Sequence, residues 1–529
     1  MRSLCFNAVH HNITSTPAFH AGSPPLINAN LYSLIRDHFP GEGEQPCLMI
    51  PGGRVIHYGD IDQASARIAH ALVDAGCQPG DRVAAQIEKS WHGLALYLAC
   101  LRSGAVFLPL NTGYRKGELS WFFSDARPRI IVCAPSAARE MLALRPEAVI
   151  LTLEDDEGSL LEAASEQPES FETVFSKPGD LAAILYTSGT TGRSKGAMLS
   201  HRNLASNALT LVSLWGFTRH DVLLHALPIY HVHGLFVACH CALLSGSRIL
   251  WLAKFDASEV LHLLPRATVM MGVPTFYTRL LAEREFSADH CQNVRVFISG
   301  SAPLLPDTFA AFADRTGHLI LERYGMTETG MNTSNPLDGP RRCGSVGPAL
   351  PGVDLRVVRE DGSRCEPGVV GAIEVHGPNV FRGYWDMQER NEQEFTPDGY
   401  FRTGDLGEML EDGYLRIVGR AKDVIITGGL NVYPREIETR IDAMPGVLES
   451  AVIGIPDPDF GEAVVAVVVA KQGYCVDPRE VIAALREDIA GFKVPKLVHL
   501  VSELPRNAMG KVQKSALREQ YACVAAGPA

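Results

Sequence analysis

The chain has 529 residues, 46% of them hydrophobic and 20% charged, and its 48 Lys and Arg against 60 Asp and Glu give a formal net charge of −12. That length supports about three or four folding units with a well-buried core, which excludes wholesale disorder. The acidic balance argues against a large nucleic-acid surface, which needs excess Lys and Arg, and no run of about 18 apolar residues is present to span a bilayer.

Residues 1–30 read as a loose extension. Their bases are too few and their apolar runs too short for a secretory signal or an Arg-rich transit peptide. From there the chain alternates apolar runs with helical periodicity: a strand at Arg82–Ile87, a helix near Leu94–Arg102, and a strand at Ala105–Leu110. This rhythm predicts layered α/β structure with parallel strands. It returns at Leu181–Tyr186, at a helix over Arg202–Trp215, and at Val294–Ile298. After Gly371 the runs shorten, at Ala372–Val375, Tyr400–Thr403 and Tyr414–Val418, as expected of a small β-rich subdomain. Beyond Arg420 come a strand at Val424–Thr427, a helix from Pro434 to about Ala443, strands Leu448–Ile455 and Ala463–Ala470, a helix near Pro478–Ile489 and a strand Leu497–Val501. The expected organisation is a body over residues 1–420, a hinge at 421–423 and a small α+β domain over 424–529.

Twelve cysteines are scattered without a C-x-x-C pair, which suits reduced thiols in a cytoplasmic compartment. Cys239-His240-Cys241 is read as a buried apolar segment rather than a metal site, because ligands one residue apart on a strand would face opposite ways.

One segment concentrates chemistry. After the strand ending at Tyr186 come Thr187, Ser188, Gly189, Thr190, Thr191, Gly192, Arg193, Ser194, Lys195 and Gly196. Backbone N–H groups, hydroxyls and one lysine together suit a polyphosphate. The glycine spacing, with Gly196 after the lysine, departs from a Walker A loop.

This loop resembles the signature of the acyl-adenylate-forming superfamily, which includes acyl-CoA synthetases, luciferases and peptide-synthetase adenylation domains. Arg323–Thr329, Tyr400–Asp405, Gly419–Asp423 and Pro505–Lys511 resemble its later motifs, in order. The resemblance implies an enzyme that uses ATP, Mg²⁺ and coenzyme A. It implies that Thr187–Lys195 hold the β- and γ-phosphates, that Thr327 contacts the α-phosphate and that Glu328 binds Mg²⁺. Asp405 with Arg420 would take the ribose, while Gly300, Ser301, Ala302 and Pro303 together with Glu322, Arg323, Tyr324, Gly325 and Met326 would line the adenine. Lys511 would be the catalytic lysine of a mobile domain that pivots at Lys422. Its rotation would bring Gly428 and Gly429 to the pantetheine arm, with His231 gating the thiol.

The segments Met270–Arg279, Ser299–Pro303 and Met326–Ser334 resemble the malonyl-CoA synthetases within that superfamily. This implies that Arg279 pairs with the carboxylate that is not activated, beside Ser301 and a wall at Met331. A guanidinium suits that role because it binds a carboxylate bidentately. Tyr230 and Gly330 leave tolerance of methylmalonate open. Ligases for acetate or an aryl acid, an adenylation enzyme serving a carrier protein, and an inactive nucleotide-binding protein are the other readings. No protein partner is expected.

Overall fold

The computed structural model describes residues 28–41, 43–187, 194–428, 430–457, 460–507 and 510–522. Within them the strands form four sheets.

The first sheet has six strands in the order Val149–Thr152, Ile130–Cys133, Arg82–Gln86, Val106–Pro109, Leu181–Thr187 and Lys195–Ser200, parallel except for the last pair. The second has eight, running from Gly330–Ser334 through Leu321–Met326, Val296–Ser299, Val269–Gly272, Val222–His225, Arg248–Trp251 and Pro46–Met49 to Val55–His57. Its central strands are parallel and its two edges antiparallel. Their apolar runs are unbroken because helices cover both faces. One apolar core joins the two sheets, with Trp215, Tyr97 and Tyr277 enclosed within it. The helix Trp91–Ser103 is buried along its length; Ser90 caps its start and Gly104, at φ 74°, ends it.

An antiparallel sheet of Asp354–Val358, Gly371–His376, Phe401–Met409 and Leu415–Arg420 forms the β-rich subdomain. The C-terminal unit is built on the long pair Val447–Asp457 and Gly461–Ala470, with Leu497–Val501 parallel beside it and the hairpin Ile425–Thr427 and Leu430–Val432 at the edge. Its own cores are rich in Val and Ile and lie on both faces of that sheet. The molecule is therefore a layered α/β body with a β-rich subdomain and a small α+β domain.

Two local expectations change. Lys195–Ser200 is a strand paired antiparallel with Leu181–Thr187, so the Gly-rich segment joins a hairpin rather than leading directly into the helix His201–Leu214. Gly196 permits this pairing, since a Cβ there would lie 2.9 Å from Ile184. Cys239 and Cys241 lie on a π-turn, His233–Cys239, and the helix His240–Ser245 that continues it, not on a strand; both are fully buried. The described cysteines are free. No helix among the described residues is long and apolar enough to cross a membrane.

Candidate active site

Several of the residues singled out above gather near the ends of the parallel strands, the usual position of sites in α/β sheets. Thr327–Thr329 form the turn between Leu321–Met326 and Gly330–Ser334. The turn is tight: a Cβ on Gly325 would stand 2.1 Å from the Gly330 carbonyl. Asn207 clamps the far side, accepting from the Met331 N–H at 3.0 Å and donating to its carbonyl at 2.9 Å. Thr327 lines a small enclosed space with Asn207, Val232, Phe236 and Asn379.

Glu328 is buried. Its Oε1 accepts from the Tyr384 hydroxyl at 3.0 Å and from Thr187 Oγ1 at 3.3 Å. Burial raises its pKa, more than those donors and Arg420 lower it. Thr187 and Glu328 thus place hydroxyl and carboxylate oxygens together at the mouth of the Gly-rich segment. Ser188, Gly189, Thr190, Thr191 and Gly192 lie outside the described residues, as does Gly429. Lys195 is buried on its strand, where its ammonium pairs with Glu394 at 3.1 Å and sits 4.5 Å from the Tyr384 ring centroid.

Asp405 and Arg420 are register partners on adjacent strands. Arg420 Nε lies 3.0 Å from Asp405 Oδ1, and the Tyr324 hydroxyl donates to Oδ2 at 2.6 Å. The Asp405 carboxylate raises the pKa of Arg420. Gly300–Pro303 form the bend after Val296–Ser299, with Ser301 held at φ 71°. Glu322 is buried beside this bend; burial pushes its carboxyl up to about 7, and its Oε1 has no partner among the described residues.

Lys511, from the small domain, reaches this same place. Burial and the Arg420 guanidinium push its ammonium pKa down, against the pull of Asp405 and Glu328. Its loop is folded back on itself: Lys511 N–H donates to Asn507 Oδ1 at 3.0 Å, and Asn507 N–H returns to the Lys511 carbonyl at 2.9 Å. Lys422 lies in the short 3₁₀ turn Ala421–Asp423 between the two parts. Gly428, at φ 57°, is at the exposed tip of the hairpin, flanked by exposed Ile426 and Leu430.

The residues expected on the acid side do not share one environment. Arg279 lies on the last turn of Pro274–Ala282, exposed, with no hydrogen bond or ion pair among the described residues. Arg323, which the motif resemblance assigns to the adenine lining, is an interior cation. It is 3% exposed, and its Nε and Nη2 have no partner among the described residues. Burial pushes its pKa down to about 10. Gly300 is shaped to it, since a Cβ there would lie 2.3 Å from Arg323 Cζ. Around it are His231, whose Nδ1 is unpartnered, and His233, whose Nδ1 lies 3.3 Å from Ser301 Oγ. Burial, then Lys511 and Arg323, push His231 down to about 3, so the imidazole is neutral. Met331 is buried.

A family model described as AMP-binding enzyme matches residues 37–385, and one described as AMP-binding enzyme C-terminal domain matches residues 436–511. A malonate–CoA ligase of Mus musculus, ACSF3, mitochondrial, is 36% identical over 488 residues, covering 84% of this chain and 83% of its own. A feruloyl-CoA synthase of an Amycolatopsis species is 35% identical over 474 residues, covering 89% and 95%. The ATP-bound structure of MatB from Rhodopseudomonas palustris is 54% identical, covers 94% of this chain and 100% of its own, and has a TM-score of 0.93. The apo structure of MatB, with the same identity and coverage, has a TM-score of 0.81. The arrangement of parts in this chain is therefore nearer to that of the ATP-bound structure.

Proposed function

The chain belongs to the AMP-binding enzyme family, and on that premise we propose that it joins malonate to coenzyme A at the expense of ATP, through a malonyl-adenylate. One observation carries the choice of acid. The Arg323 guanidinium is buried with two nitrogens that have no partner among the described residues. A dicarboxylate supplies what it lacks: one carboxylate reacts and the other pairs with Arg323, flanked by Ser301 and His233. A neutral acid would leave the charge unpaired, at a cost typical of buried uncompensated ions. Arg279, exposed and unpaired among the described residues, is the second cation on offer, and substitution separates the two.

In the first step a malonate oxygen attacks the α-phosphorus and the bond to the β-phosphate breaks, releasing pyrophosphate. Lys511 reaches the same cluster as Arg420, Asp405 and Glu328, which supports its meeting both the incoming carboxylate and the α-phosphate. Asp405 would take the ribose hydroxyls with Arg420 and Tyr324 fixing its orientation, and Thr187 and Lys195 would hold the outer phosphates, Lys195 exchanging Glu394 for them.

Glu328 and Thr187 fit Mg²⁺, a hard cation that prefers oxygen and keeps phosphate and water ligands. No cluster of three or more His, Cys, Asp or Glu side chains suited to a metal occurs among the described residues. When bound, the ion supplies charge compensation at the phosphates.

In the second step the coenzyme A thiol attacks the acyl carbonyl and the bond to phosphate breaks, releasing AMP. We propose that the small domain pivots at Lys422, withdrawing Lys511 and bringing the 428–429 tip to the pantetheine arm. His231, neutral and unpartnered at Nδ1, is a gate on that path rather than a strong base. The free thiols support a reducing compartment, and we place the enzyme in the cytoplasm.

Pyrophosphate release across a panel of acids, with and without coenzyme A, tests the reading. Malonate should lead in both arms and yield a thioester only with coenzyme A. Equal or better turnover of acetate or an aryl acid would overturn the choice of acid, and acyl-AMP without thioester would overturn the ligase reading.

A further inference from the structure

We infer that Lys89 and His225 are positioning residues that lock the π-turn His233–Cys239 and so hold His231 and His233 against the acyl pocket. The inference rests on the ligase reading above.

Lys89 follows the strand Arg82–Gln86 of the six-stranded sheet and reaches the ends of two strands of the other sheet. Its ammonium pairs with no carboxylate among the described residues. It lies 2.7 Å from His225 Nδ1, 2.9 Å from the His225 carbonyl and 2.6 Å from the Leu252 carbonyl, and 4.3 Å from the Trp251 ring centroid. Trp251 and His225 are register partners, so the cation clips both strands where they end.

The acceptors around this pair decide its protonation. His225 Nε2 lies 2.9 Å from the Gly234 carbonyl, which can only accept, so Nε2 carries the hydrogen. Nδ1 then presents a lone pair, and Lys89 must be the donor to it, with its other two N–H groups on the two carbonyls. Lys89 therefore stays charged in this arrangement although burial pulls its pKa down to about 7, and His225 stays neutral.

The far end of the ring explains why this matters. In a π-turn the carbonyl of residue i faces the amide of i+5, and Gly234 and Cys239 stand in that relation. His225 Nε2 contacts both, at 2.9 Å to the Gly234 carbonyl and 3.5 Å to Cys239 Sγ. Gly234 cannot be replaced, since a Cβ would fall 2.0 Å from the Pro228 carbonyl, and the Leu235 N–H donates to the His231 carbonyl at 3.0 Å. The loop carrying His231 and the turn carrying His233 are thus one piece, fastened from behind by the His225 ring. Its other two imidazoles keep Nδ1 of His231 and Nε2 of His233 without partners among the described residues. π-Turns are costly and recur at functional sites, so a dedicated fastening is expected of one that displays pocket residues.

The test separates the two half-reactions. Lys89→Met keeps length and removes all three donors. It should raise the malonate KM and slow thioester formation from supplied malonyl-adenylate, each by about tenfold, while the ATP KM moves by less than about twofold. Lys89→Arg should recover most of the loss. If Lys89→Met does not fold, His225→Gln and His225→Leu carry the same question: Gln can accept from Lys89 and donate to Gly234, and should retain activity within about threefold, whereas Leu should not. Unchanged malonate KM and thioesterification in Lys89→Met, equal loss at every step including ATP, or equal loss in the Gln and Leu variants would overturn the inference. Malonyl-CoA formation by the wild-type enzyme is scored in the same assay, so failure of the ligase reading is seen separately.

Discussion

Replacing Arg323 by methionine removes the charge while keeping a long apolar side chain in the strand. In the free protein the guanidinium is desolvated and its pKa falls from 12.5 to about 10, a cost on the order of 3 kcal/mol carried until a carboxylate arrives. Breaking a buried ion pair by removing one partner costs about 3–5 kcal/mol, and each 1.36 kcal/mol is a factor of ten in rate. The kcat/KM for malonate, measured by pyrophosphate release, should therefore fall by about two to four orders of magnitude. Turnover of a monocarboxylate such as butyrate should fall far less or rise. The melting temperature should hold or increase, because the substitution deletes an uncompensated interior charge, and this separates lost binding from misfolding. Malonate kcat/KM within about threefold of wild type would refute the reasoning. If Arg279→Ala carried the loss instead, the distal carboxylate would belong to the exposed arginine.

Gly300→Ala should act on the same contact from the other side: its Cβ would meet Arg323 Cζ at 2.3 Å, so the malonate KM should rise while the ATP KM changes less. Lys511→Ala should impair adenylation far more than thioester formation from supplied malonyl-adenylate, and equal losses would contradict a two-arrangement cycle. Asp442, which accepts from Ser450 Oγ at 2.7 Å, is pushed by burial from 3.8 up to about 7. A carboxyl with a raised folded pKa contributes stability present below its unfolded pKa and lost as pH rises through about 7. Asp442→Asn should therefore gain stability over wild type progressively as pH rises from about 4 to about 7 and hold that gain above it, by on the order of a few kcal/mol, and a pH-independent difference in unfolding free energy would contradict this.

The layered architecture was legible because strand and helix periods are local, and element ends shifted by only a few residues, as at Arg82–Gln86 and Trp91–Ser103. The return strand Lys195–Ser200 was hidden because its short apolar run adjoins a glycine and a helix cap, and pairing with Leu181–Thr187 decides it. The ordered motifs were legible, and the structure brings Thr187, Glu328, Asp405, Arg420 and Lys511 into one cluster. The burial of Arg323 without a side-chain partner among the described residues was not legible, because it is a property of the packed interior. Lys89 and His225 were invisible for the same reason: residues 136 positions apart meet only once two sheets pack.

The most direct test of the central claim is a single competition. Malonate, acetate, butyrate and ferulate are offered together with ATP, Mg²⁺ and coenzyme A, and the thioesters and nucleotide products are identified by mass. Malonyl-CoA as the dominant thioester, with AMP and pyrophosphate formed in equal amount, is the expected result. A different dominant thioester, or ADP in place of AMP, would contradict the account.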